Sequence, residues 1–227
     1  MWGILSICKL RWKDIGFTSD GIVSGIGKGL LFSLVCSVLA YAIESFTLFF
    51  LHGNVHLSFY ASGFSLTNEK GSQAGILFII LSVLFNLINV WMEEGVFRGL
   101  FTKILEGISY RKSLFFIAFL FGIWHLAMPL RDYLQGESSL LNLIVMGFGY
   151  VILAGMMSIK WSLLYKMTDS LWLGLGDHLF NNLASNLVHV VSNSEVDSLQ
   201  IVRILLWQLL SFAIVLGVYQ KNKKKNR

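Results

Sequence analysis

The chain has 227 residues, 55% of them hydrophobic and only 14% charged. Soluble domains carry about 25% charged residues, which argues against a water-soluble domain, and the apolar residues fall in long runs of the kind that cross bilayers. The net charge of +5 is not a nucleic-acid footprint, because the basic residues lie between apolar runs and at the C-terminal end, not in a stripe interleaved with aromatics.

Residues 1–28 alternate apolar and basic side chains, among them Lys9, Arg11, Trp12, Lys13, Phe17 and Lys28. They read as an amphipathic segment on the membrane surface. No secretory leader is expected, because the first strong apolar run begins near Gly29 and lacks a small-residue cleavage site. That run, 29–51, is the first expected span. Residues 52–73 are polar and rich in Gly, Ser and Asn, which suits a loop. A second run, 74–92, leads into Glu93-Glu94, and its helical pattern continues through Arg98 to about Leu105. The third span is expected at 113–130, closed by the only proline, Pro129. The fourth covers 139–159, extending toward Tyr165. The fifth is roughly 171–191, and the sixth is 199–219, followed by a basic tail over 220–227. Each is long enough to cross about 30 Å of hydrocarbon at about 1.5 Å per residue.

The expected fold is therefore all-α, a polytopic bundle of about six transmembrane helices (29–219) preceded by an interfacial segment. Six spans put both termini on one side. That side collects fifteen of the eighteen Lys and Arg residues, including Lys160 and Lys166, and the other receives only Lys70, Arg131 and Arg203. The bias predicts cytoplasmic termini. The compact form suits a bacterial cell membrane. Cys8 and Cys36 have neither metal nor redox spacing and are expected as free thiols packed like small apolar residues.

Ionisable groups inside spans cost about 3 kcal/mol each on insertion scales, so each calls for a reason. Glu93 and Glu94 repel at a membrane-embedded helix end, so a cation or a proton must neutralise one of them. Arg98, at i+4 from Glu94, is placed to pair with it, which leaves Glu93 turned about 100° away. His125, in Phe121-Gly-Ile-Trp-His125, reaches a similar depth on the following helix. His178 and Asn182, also i and i+4, project from one helix face and can serve as paired donors; Asp177 and Asn181 border them. Each group also has a structural alternative: a charged helix end, a core histidine bonded to a carbonyl, and a polar clamp between helices. Glu44 has no cation at i+4 and receives no catalytic role. His52, His56 and His189 read as interfacial or solvated.

In this order, Glu93-Glu94…Arg98, Phe121…His125 and His178…Asn182 resemble the E-E-x-x-x-R, F-x-x-x-H and H-x-x-x-N/D motifs of the CPBP family, the CAAX-protease and bacteriocin-processing membrane proteins also called Abi. The short stretch Ser170-Leu-Trp-Leu-Gly is similar to that family's as well. The resemblance covers about residues 75–190. It implies a glutamate-dependent endopeptidase that needs no metal or cofactor. Glu93 and His125 would activate water, Glu94 and Arg98 would hold Glu93, and His178 and Asn182 would bind the oxyanion. Family members process prenylated proteins, peptide pheromones or bacteriocin precursors, and some act in immunity without cleavage. The expected partners are thus a peptide or protein substrate and the bilayer. A zinc site on Glu93, His125 and His178 is the chemical alternative, although no H-E-x-x-H is present. A transporter is disfavoured by the absence of a two-half repeat.

Overall fold

In a computed structural model the described residues are 1–62, 75–192 and 196–225. The expected loop residues 63–74, with Lys70, and Arg227 of the expected tail lie outside them. The elements are almost all helical: α1 (Trp2–Ile7), α2 (Ile22–His52), α3 (Ile76–Glu93), α4 (Phe101–Ile104), α5 (Tyr110–Trp124), α6 (Ala127–Leu134), α7 (Leu140–Thr168), α8 (Trp172–Leu187) and α9 (Gln200–Lys225). A 3-10 turn covers Trp12–Ile15, and a π-helical turn, Glu94–Leu100, joins α3 to α4. Strands β1 (His56–Phe59) and β2 (Val188–Val191) pair antiparallel, His56 opposite Val191 and Phe59 opposite Val188.

Among the described residues five helical stretches are long and apolar enough to span a membrane: Ile22–His52, Ile76–Ile104, Tyr110–Leu134, Leu140–Thr168 and Gln200–Lys225. The run expected at 171–191 divides differently. Its helix, α8, has 16 residues, about 24 Å of length at about 1.5 Å per residue. It carries Asp177, His178, Asn181, Asn182 and Asn186. The β-branched end of the run, Val188 to Val191, leaves the helix as β2, as such residues favour strands.

Other boundaries also moved. α2 begins at Ile22, seven residues before the expected start, and α9 continues through the basic tail to Lys225. Pro129 does not close its helix. The chain breaks at His125–Leu126, and Pro129 sits in the first turn of α6, where the missing N–H has no intrahelical acceptor to serve. Cys36 is buried as expected, but Cys8 is exposed.

The chain forms two compact units. One comprises Met1–Asp20, Glu93–Leu171 and Ile214–Arg227. In it α5 packs along α7, and the 3-10 turn packs on the π-helical turn. Ile15 is fully buried there, and the backbone of Ile15 lies where a Cβ on Gly99 would stand, so the close approach requires glycine. The other unit comprises Gly21–Met92 and Trp172–Ala213. Its main contact is α2 against α8. Gly29 of α2 faces Leu173 O and Asp177 N, and Gly176 of α8 faces Ile26 O, each too close for a side chain. Small residues let helix backbones meet without a hydrophobic drive from water. Ser33 Oγ then donates to Asp177 O at 3.2 Å, which fixes the turn of α8 that carries His178.

That second unit holds a buried charge cluster. Arg203 of α9 donates to Glu44 of α2 and to both carboxylate oxygens of Asp197, at 3.1 and 2.6 Å. Its guanidinium lies 4.5 Å from the Tyr41 ring centroid. Glu44 thus has its cation on another helix, in Arg203. His189 is fully buried, contrary to the interfacial or solvated position expected of it. Its Nδ1 lies 3.0 Å from Asp197 Oδ2, and its ring stacks on Tyr60 at 3.8 Å. His189 lies on β2 among buried residues, a placement hidden when 171–191 is read as helix. His52 and His56 are exposed, as expected.

Candidate active site

The first unit holds Glu93, Glu94, Arg98 and His125. Glu94 to Leu100 form a π-helical turn inside an otherwise α-helical span. Such turns widen a helix locally and concentrate at functional sites. The turn buries Glu94 and Arg98 completely, with Glu93 3% exposed. Glu94 Oε1 and Arg98 Nη1 are 3.5 Å apart, so the expected i, i+4 pair is present. Arg98 is boxed by rings: its Cζ lies 4.0 Å from the Phe121 centroid, 4.8 Å from Trp161 and 5.9 Å from Phe97. Among the described residues its nitrogens make no hydrogen bond. The ion pair and the ring faces therefore compensate its charge, since a cation over a desolvated aromatic face gains about 2 kcal/mol or more.

Glu93 is held from outside its own helix. Trp124 Nε1–H donates to Glu93 Oε1 at 3.0 Å. The next residue, His125, ends α5 and is half-buried. Its Nδ1 lies 2.8 Å from Phe121 O. A carbonyl only accepts, so Nδ1 carries the hydrogen and Nε2 is the acceptor of the neutral ring. This is the carbonyl-bonded histidine of the structural alternative, and it is also the tautomer a base at Nε2 requires.

The second unit holds His178 and Asn182, one turn apart on α8. His178 is 2% exposed and Asn182 half-buried. Gln208 Nε2 donates to Asn181 Oδ1 at 2.6 Å, and Asn181 Nδ2 donates to Asn182 Oδ1 at 3.3 Å. This relay engages the Asn182 side-chain oxygen. Asn181 thus bonds α8 to α9 on the same turn as the candidate donors. Among the described residues no three His, Cys, Asp or Glu side chains are grouped to hold a metal ion.

Sequence reasoning missed Trp124, Trp161 and Gln208. Trp124 stands beside His125, which was its only signal. Trp161 and Gln208 act across helices and leave no local pattern. Lys160, counted among the charges of the cytoplasmic side, is fully buried within α7, its Nζ 5.2 Å from the Trp161 centroid.

Residues 75–184 match the family model described as type II CAAX prenyl endopeptidase Rce1-like. The matched stretch is just under half of the chain and includes Glu93, Glu94, Arg98, His125, His178 and Asn182. No curated protein and no solved structure matches the chain.

Proposed function

We propose that this multi-pass membrane protein is an intramembrane endopeptidase of the glutamic type, a reading supported by the match of residues 75–184 to the type II CAAX prenyl endopeptidase Rce1-like family model. The observation that carries the reading is the buried Glu94–Arg98 pair beside Glu93 in a π-helical turn. Two carboxylates and a guanidinium are costly to hold there for structure alone.

In the proposed reaction Glu93, with His125, takes a proton from water as the oxygen adds to the scissile carbonyl carbon. The carbonyl π electrons move to oxygen, and the resulting oxyanion is stabilised by N–H groups of His178 and Asn182. Collapse re-forms the carbonyl and breaks the C–N bond, and the proton passes to the departing amine. Glu94 and Arg98 hold the helix turn that presents Glu93. No metal is assigned a role.

The side chains separate by size of effect. His125→Ala and His178→Ala are expected to abolish cleavage of a peptide substrate by folded protein in proteoliposomes. Asn182→Ala is expected to leave a residual rate about a hundred- to a thousandfold lower, as for loss of one oxyanion donor. Turnover should persist in EDTA or 1,10-phenanthroline. Loss of activity in chelator and recovery with zinc would move the chemistry to the metal alternative.

The arginine and lysine distribution supports cytoplasmic termini as part of the same reading. An Asn222→Cys protein, with both native cysteines replaced, should react with a membrane-impermeant maleimide only in inverted vesicles. Reaction in intact cells would reverse the orientation.

A further inference from the structure

We infer that Trp124 is a positioning residue for Glu93, its indole N–H fixing the carboxylate that receives the water proton. The inference rests on the reading of Glu93 as the water-activating group. The ring is half exposed, at 51%, yet its one polar atom is turned inward and donates to Glu93 Oε1 at 3.0 Å. An indole N–H can only donate. It therefore selects which carboxylate oxygen of Glu93 is engaged.

Position adds to this. Trp124 is the last residue of α5, and His125 follows it immediately. The π-helical turn that begins at Glu94 packs against α5. One hydrogen bond thus ties the end of the helix carrying His125 to the side chain of Glu93. Phe97, inside the π-helical turn, also sits 6.4 Å from the Trp124 ring, so the indole is wedged as well as bonded. A family motif that specifies only Phe121 and His125 on this helix assigns Trp124 no part.

The test is Trp124→Phe, which keeps an aromatic wedge and removes the donor. Its partner is β-(3-benzothienyl)alanine at position 124, which preserves the bicyclic shape with sulfur in place of N–H. Both are assayed in proteoliposomes beside wild type and Glu93→Gln. Loss of one hydrogen bond to a charged acceptor predicts kcat lowered about ten- to a hundredfold with KM little changed. A benzothienyl protein with wild-type kcat and KM, alongside an inactive Glu93→Gln, would overturn the role of Trp124. An active Glu93→Gln would overturn the reading beneath it.

Discussion

Arg203→Met is expected to destabilise the folded protein by about 3–5 kcal/mol, the cost of removing one partner from a buried ion pair. Arg203 is 1% exposed and Glu44 and Asp197 are each 3% exposed. The three groups come from α9, α2 and the segment before α9. Methionine fills the volume of the stem but leaves two carboxylates facing each other, with His189 the remaining cation-forming group beside them among the described residues. One carboxylate must then take up a proton or the cluster must open. The effect is read as a shift in the unfolding midpoint in mixed detergent micelles. Adding Glu44→Gln to Arg203→Met should recover part of the loss, because it removes the excess charge. A single variant within about 1 kcal/mol of wild type would show that the cluster is not a structural clamp.

The same cluster has a direction in pH. Burial works to raise the Asp197 carboxyl, but hydrogen bonds from His189 and Arg203 outweigh it and hold the group below the ordinary aspartate value of 3.8. A carboxylate lowered in the fold contributes stability that is complete above that ordinary value and is lost as pH falls below it. The contribution of Asp197 to the clamp should therefore be complete at neutral and mildly acidic pH and weaken only in stronger acid.

The parts of this protein legible in the sequence are those written in local pattern. Runs of apolar residues marked the long helices, and the i, i+4 spacing of Glu94 and Arg98 marked a pair that is present in the fold. What resisted reading is carried by distant partners. Glu44 looked unexplained because Arg203 stands 159 positions away. His189 looked solvated because its strand was hidden at the end of a run that also reads as helix. The π-helical turn left no pattern, since Glu94 to Leu100 keep the same residue types whether the turn closes at i+4 or i+5. Trp124 was visible only as a neighbour of His125, and its bond to Glu93 requires two helices. Pro129 misled because a proline ends a helix interior but is tolerated in a first turn.

Glu93→Gln is the substitution with the largest expected effect on chemistry. It preserves shape and hydrogen-bonding capacity while removing the acceptor of the water proton. General-base catalysis contributes about 10²–10⁴ in rate, so turnover should fall by at least about a hundredfold, with folding intact because Glu93 is not the residue paired to Arg98. Trp124 Nε1–H can still donate to the amide oxygen, which keeps the α5 end in place. The direct measurement is cleavage by purified protein in proteoliposomes, followed by mass spectrometry of the products. The substrates are a prenylated C-terminal CAAX peptide and its unprenylated counterpart, each with wild type and with Glu93→Gln. The account predicts that wild type hydrolyses at least one of the peptides at a single internal bond and that Glu93→Gln, equally folded, does not. Equal cleavage by the two proteins would contradict it.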